Sequence, residues 1–202
     1  MKKGLYLVTP DWDDTGRLLA ATKAALEGGV VLLQYRHKTA EPMLQREQAT
    51  ALLALCRQFD CPFIVNDHVE LALELGADGV HVGGTDAAVS AVRAQIGPDR
   101  ILGASCYGDL ELAKASHAAG ASYVAYGGFY PSKVKKYPVT TAVEILKQSR
   151  DAVPLPSVVI GGMTPENAVP LVAAGADMVA AISSVYLADD PKQAALAFAA
   201  LF

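Results

Sequence analysis

Apolar residues fall along this chain in short unbroken runs, separated by longer alanine- and leucine-rich stretches with helical spacing. The runs Leu5–Thr9, Val30–Tyr35, Phe63–Asn66, Gly79–Val82, Ile101–Ser105, Tyr123–Tyr126, Ser157–Ile160 and Met178–Ile182 read as strands. Continuous rather than alternating apolarity means that both faces are buried, as in a parallel sheet covered by helices. Helical patterns fill Thr15–Glu27, Pro42–Phe59, Val69–Leu75, Asp86–Ile96, Asp109–Ala119, Thr141–Arg150, Pro165–Ala174 and Pro191–Leu201. About eight strand–helix units of about 25 residues each predict a compact (β/α)8 barrel, expected as one catalytic domain over residues 1–202. A doubly wound open sheet is the competing architecture.

One pattern recurs in Leu75-Gly76-Ala77-Asp78-Gly79-Val80, Ala119-Gly120-Ala121-Ser122-Tyr123-Val124 and Ala174-Gly175-Ala176-Asp177-Met178-Val179. Each reads as a helix-ending glycine followed by a short turn into a strand. These turns fix where strands begin. The opposite strand ends, where chemistry sits in such a fold, are then Gln34–Lys38, Asn66-Asp67, Gly83–Asp86, Ser105–Tyr107, Gly127–Lys136, Gly161–Met163 and Ser183-Ser184.

Composition narrows the class. The chain is 52% hydrophobic and 19% charged, enough to build a large core. A net charge of −4 speaks against a nucleic-acid-binding face. Three cysteines without close pairing suggest reduced thiols. The first ten residues lack the apolar length and cleavage pattern of a signal peptide, and no apolar stretch approaches the roughly 20 residues of a membrane span. The expectation is a cytoplasmic enzyme acting on small molecules, without nucleic-acid or membrane partners and compatible with a homo-oligomer.

Several strand ends carry candidate chemistry. In Gln34-Tyr35-Arg36-His37-Lys38, alternation puts Gln34, Arg36 and Lys38 on one face. An amide, a guanidinium and an ammonium together suit a pyrophosphate beside a polar ring, although a solvated strand end would look similar. His37 should face away from Arg36, outward. Asp67 and Asp86 each follow a buried strand and together suit Mg²⁺, with phosphate oxygens completing the shell. Each also opens a helical run, where a carboxylate caps the helix. The loop Gly127–Lys136 offers glycines, Ser132 and lysines to a phosphate, or is a basic surface loop. Gly161-Gly162 and Ser183-Ser184 end the last two strands, whose loops commonly bind phosphate in barrels. His81, inside an apolar strand, reads as a core histidine, and Cys106 as a bystander. No nucleophile–base pair and no zinc cluster is evident.

Taken together and in order, Leu5–Thr9, the Gln-x-Arg-x-Lys of Gln34–Lys38, Asn66-Asp67, Gly76–Asp86, Ile101–Tyr107, Pro131–Lys135, Gly161-Gly162 and Ile182-Ser183 resemble the thiamine-phosphate synthase family over essentially the whole chain. The resemblance implies a TIM barrel that joins a hydroxymethylpyrimidine pyrophosphate to a thiazole phosphate and releases pyrophosphate. It implies that Gln34, Arg36, Lys38, Asn66, Ser105 and Lys135 contact the pyrimidine pyrophosphate. Of these, Arg36, Lys38, Ser105 and Lys135 would carry catalysis. Asp67 and Asp86 would hold Mg²⁺. Ser132, Val134, Gly162, Ile182 and Ser183 would take the thiazole phosphate, largely through backbone groups. The chain departs from the family pattern at Gly84, where Gln is usual, at Val134, where Thr is usual, and at His37, where an acidic residue is more common. A thiazole tautomerase-like paralogue and a non-catalytic phosphate-binding barrel are the alternatives. The paralogues lack the Asn-Asp pair and the second Asp, which stand here as Asn66, Asp67 and Asp86.

Overall fold

In the computed structural model, eight parallel strands close on themselves in sequence order. The structure describes residues 1–83, 86–131 and 141–202, with Asp86 and Ala87 described by their backbone only. The strands are β1 (Gly4–Val8), β2 (Val30–Tyr35), β3 (Phe63–Asn66), β4 (Gly79–Gly83), β5 (Ile101–Tyr107), β6 (Tyr123–Gly127), β7 (Ser157–Ile160) and β8 (Met178–Ala181). Between and after them run α1 (Thr15–Glu27), α2 (Pro42–Gln58), α3 (Val69–Leu75), α4 (Asp86–Ile96), α5 (Leu110–Ala118), α6 (Glu144–Ala152), α7 (Pro165–Ala173), α8 (Ser183–Tyr186) and α9 (Pro191–Ala199). The pairing of β1 with β8 closes the barrel and rules out the open sheet.

Strand alternation sorts the apolar residues into two layers. Tyr6, Leu32, Ile64, Tyr123, Val158 and Met178 fill the barrel interior, while Leu5, Leu33, Phe63, Val65, Val124 and Val159 pack outward against the helices. The helices present a matching stripe. In α1, Leu18, Thr22, Ala25 and Leu26 are buried, the i, i+4, i+7, i+8 spacing of one face. Side-chain caps start several helices: Asp14 accepts from Arg17 N, Asp190 from Gln193 N, and Thr164 with Asn167 forms a capping box.

Two departures from the sequence-based expectation have local causes. The helix expected from Thr141 starts at Glu144, because the Thr141 hydroxyl and N–H donate to the carbonyls of Gly127 and Gly128 and tie it to the end of β6. The short α8, after β8, has too few residues to show a periodic pattern in the sequence.

The recurring glycine turns do more than start strands. Asp78 accepts from the N–H of Phe63 at 2.7 Å, Ser122 from Leu102 at 3.0 Å and Asp177 from Ser157 at 2.9 Å. In each case the backbone N–H of the same residue donates to the carbonyl of the residue it caps. One device therefore stitches β3 to β4, β5 to β6 and β7 to β8 at the end of the barrel away from the active rim. Asp177→Ala should cost about 2 kcal/mol of stability, as for a hydrogen bond to a charged group. Chemical denaturation would measure the loss.

Candidate active site

The C-terminal mouth of the barrel holds a cavity of about 570 Å³. Of the residues singled out from the sequence, Gln34, Arg36, Lys38, Asn66, Asp67, Ser105, Gly162, Ile182 and Ser183 all border it. Ser132, Val134, Lys135 and Gly84 lie outside the described residues, as does the side chain of Asp86. The walls between the polar groups are apolar, supplied by Val8, Ala125, Val158, Ile160, Met163 and Ala180.

The cationic rim is held by carboxylates. Arg36 Nη1 donates to both oxygens of Asp11, at 3.2 and 3.3 Å, and the backbone N–H of Lys38 donates to Asp11 Oδ1 at 2.9 Å. Thr9 locks the same corner, donating to Arg36 O at 2.9 Å and accepting from Arg36 N at 2.7 Å. The loop carrying Asp11 is itself anchored. Trp12 packs edge-on to Tyr186, Arg17 lies 3.8 Å over the Trp12 ring, and Gln48 donates to the Trp12 carbonyl. Asp11 was missed from sequence because it sits past the strand, in a loop with no periodicity.

His37 corrects the outward placement expected from alternation. The residue is only 4% exposed. The loop after β1 folds over it, with Asp13 Oδ1 3.1 Å from His37 Nε2.

Asp67 is not a helix cap. His68 occupies the cap position of α3, while Asp67 adopts the left-handed conformation at φ 62°. Its carboxylate accepts from Lys38 Nζ at 2.6 Å and from Asn66 Nδ2 at 2.7 Å. Aspartate is among the few non-glycine residues that adopt this conformation, and here it turns the carboxylate to meet two donors at the rim. Asn66 pairs with His81 across β3 and β4, and α4 begins at Asp86, three residues after the end of β4.

On the opposite side, the loops after β7 and β8 converge. Gly162 sits at φ 63°, and a Cβ there would come 2.2 Å from the Pro131 carbonyl oxygen, so only glycine fits. Asn167 Nδ2 donates to the Gly162 carbonyl and pins that turn to the start of α7. Ser183 opens α8, whose first N–H groups lie beyond the reach of its own helical carbonyls.

Beneath the mouth runs a line of buried polar groups. Gln34 Nε2 donates to Tyr6 Oη, Tyr6 Oη meets Tyr123 Oη at 2.7 Å, and Tyr123 Oη meets His81 Nδ1 at 2.8 Å. His81 Nε2 lies 2.8 Å from Ser105 Oγ. Burial pushes the Tyr6 and Tyr123 phenols well above their ordinary range, so both stay neutral. His81 is therefore buried, as expected, but it is a polar link bordering the cavity rather than filler. The Ser105–His81 contact also supplies the pair that sequence reading did not find. Tyr123 Oη, a phenol, lies 2.8 Å from His81 Nδ1, where a serine-nucleophile triad places a carboxylate.

The family model for thiamine monophosphate synthase matches residues 5–185. The chain belongs to this family. A thiamine-phosphate synthase of Janthinobacterium sp. (strain Marseille) is 68% identical over 199 residues, covering 98% of this chain and 96% of that protein. One from Xylella fastidiosa (strain 9a5c) is 50% identical over 99% of this chain and 85% of its own length. Among solved structures, a thiamine phosphate pyrophosphorylase from Pyrococcus furiosus superposes with a TM-score of 0.85 at 32% identity, covering 98% and 94% of the two chains. A 3-hexulose-6-phosphate synthase shares the barrel alone, with a TM-score of 0.73 at 22% identity over the whole of both chains. The family is one of transferases, and no helix among the described residues is long and apolar enough to cross a membrane.

The floor of the site depends on Gly103. A Cβ there would lie 2.1 Å from the Tyr123 hydroxyl and 2.5 Å from His81 Nδ1. Gly103→Ala should lower stability by about 1–3 kcal/mol through overpacking and push the Tyr123 and His81 side chains apart. Thermal denaturation and a structure of the variant would check both effects.

Proposed function

We propose that this chain condenses 4-amino-5-hydroxymethyl-2-methylpyrimidine pyrophosphate with a thiazole phosphate, giving thiamine phosphate and pyrophosphate. The reading rests on one juxtaposition. Arg36, Lys38 and Asp67 stand at the rim of a largely apolar cavity whose deeper polar groups are Gln34 and Ser105. A pyrophosphate at the rim and a polar ring below would fill it. The Janthinobacterium relative, whose name states this product, is 68% identical to the chain.

Asp11 takes Nη1 of Arg36, and among the described residues the rest of the guanidinium fork is left for phosphate oxygens. Lys38, now paired with Asp67, is free to turn to the pyrophosphate as a point charge, joined by Lys135 from the loop after β6. Asp67 and Asp86 would hold Mg²⁺. One is a rim carboxylate freed from capping, the other begins the helix after the adjacent strand, and a hard dication of this kind takes two carboxylates and completes its shell with water and phosphate. When bound, the ion would neutralise charge on the departing pyrophosphate.

The chain's own residues carry the remainder. Charge growing on the leaving group meets preorganised cations, so the C–O bond can break before attack. The aminopyrimidine bears the resulting cation, and the apolar walls formed by Val8, Val158, Ile160 and Met163 keep water from it. Gly162, Ile182 and Ser183, with Ser132 and Val134, hold the thiazole phosphate so that the ring nitrogen captures that cation. No enzyme nucleophile is needed. Three buried cysteines outside any disulfide, Cys56, Cys61 and Cys106, suit a cytoplasmic setting.

The deciding experiment supplies both substrates with Mg²⁺ and with chelator. Thiamine phosphate should form only with the metal. Coupling that survives exhaustive chelation would remove Mg²⁺ from the reading, and thiazole isomerisation without coupling would replace the reading altogether. Asp67→Ala should lower kcat by about 100-fold or more, as expected when transition-state charge loses a preorganised partner. Near-normal Mg²⁺-dependent turnover by that variant would refute the role given to Asp67.

Asp11→Ala should act differently. Arg36 would keep its charge but lose its fixed orientation, and Lys38 would lose its backbone tether. A rise of about tenfold in KM for the pyrimidine pyrophosphate is expected, with kcat less affected. Steady-state kinetics separates the two parameters.

A further inference from the structure

The loop between β1 and α1 buries the His37 ring, and each ring nitrogen faces a carboxylate of that loop. Asp13 Oδ1 lies 3.1 Å from Nε2, and Asp11 Oδ1 lies 4.0 Å from Nδ1. Among the described residues, Nδ1 is also the one buried side-chain nitrogen or oxygen without a hydrogen bond. Asp14, next in the loop, caps α1. From α2, the neutral Gln45 donates to the His37 carbonyl, and Glu47 accepts from Thr15 Oγ1. Along β2 and beyond its end, Tyr35 donates to Gln48, Arg36 pairs with Asp11 and Lys38 pairs with Asp67. The ion-pair partners of the ring among the described residues are thus two aspartates.

Each protonation state meets this setting differently. A neutral ring has one N–H. With the proton on Nε2 it donates to Asp13, and the Nδ1 lone pair faces the Asp11 carboxylate. With the proton on Nδ1, a lone pair faces Asp13 at 3.1 Å. Only the imidazolium turns an N–H towards both carboxylates and sets a positive charge between them. Asp11 carries the difference to the rim, because its Oδ1 also accepts from Arg36 Nη1 at 3.2 Å and from the Lys38 N–H at 2.9 Å. Arg36 and Lys38 border the cavity, whereas His37 does not.

We propose that His37 is a positioning residue whose imidazolium fastens the loop bearing Asp11 and Asp13, so that a proton on this ring strengthens binding of a pyrophosphate group at the rim. The proposal rests on the substrate reading given above and adds a means of regulation to it. Its direction follows from charge. At low pH the charged ring attracts Asp11, and Asp11 aims Arg36. As pH rises the ring loses its proton, a lone pair meets Asp11, and the aim of Arg36 loosens. The effect falls on binding and therefore on KM more than on kcat. By linkage, an anion bound at the rim holds the proton on His37 more tightly.

The test measures kcat and KM for the pyrimidine pyrophosphate, and the calorimetric affinity for inorganic pyrophosphate, from about pH 5 to about pH 8, where histidine ordinarily changes charge. The wild type is compared with His37→Gln, which keeps a donor for Asp13 and takes up no charge. The ratio of the two proteins at each pH cancels the ionisation of the ligand itself. The variant should bind about tenfold more weakly than the wild type at the acid end and about equally at the alkaline end, with the kcat ratio flat. That change should share its midpoint with the His37 ring signals in NMR spectra, and the midpoint should rise when inorganic pyrophosphate binds. Asp13→Asn, on an exposed side chain, removes a charge that favours the imidazolium. It should move the ring midpoint and the fall in affinity together to lower pH, and it keeps the test open should His37→Gln not fold. A ratio independent of pH, a midpoint different from that of the ring, or a ring whose charge stays fixed across the range would overturn the proposal. A protein that binds inorganic pyrophosphate with this pH dependence but couples no substrates would overturn the substrate reading and support the role of His37. A protein that binds no pyrophosphate at any pH would overturn both.

Discussion

A polar group inside an apolar barrel must find a partner, and that constraint shapes the centre of this molecule. Two tyrosines, a histidine, a glutamine and a serine share the interior with Leu32, Ile64 and Val158. They are tolerated because each hands a hydrogen bond to the next across five different strands. The row in turn dictates its neighbours. Gly103 must stay without a side chain so that the Tyr123 ring and the His81 imidazole can meet above it. Register then does the rest, since His81 faces Gly103 across β4 and β5, and Gly103 faces Tyr123 across β5 and β6.

The rim obeys a related rule with charges in place of dipoles. Arg36 and Lys38 each rest against a carboxylate, and both carboxylates come from other strand ends. The basic residues are thereby aimed before any anion arrives, and the cost of ordering two long side chains falls on folding rather than on binding. The αL turn at Asp67 belongs to the same design, because backbone strain is stored where a carboxylate has work other than capping.

Much of this was legible in the chain. The unbroken runs Val30–Tyr35 and Ser157–Ile160 stand as strands with those bounds, and Thr15–Glu27 as a helix. Buried parallel strands leave so strong a signal because both of their faces are apolar. The rim residues followed from knowing which end of each strand is its C-terminus. What escaped is what depends on distance in three dimensions. His37 was placed outward because alternation describes a strand and says nothing of a loop that folds over its end. Asp11 lies in that loop, 25 residues from the guanidinium it holds. Tyr6 and Tyr123 lie within apolar runs, and no local pattern shows that their hydroxyls touch across 117 positions of sequence.

Trp12 ends this chain of dependence in an unexpected place. It is the sole tryptophan of the protein, it neighbours Asp11 in sequence, and its ring is clasped between Arg17 and Tyr186. A guanidinium at van der Waals distance and a phenol edge make its surroundings sensitive to small displacements of the loop. The indole's emission is thus an unmixed optical signal from the segment that aims Arg36, and the protein carries its own gauge of how firmly that corner of the rim is set.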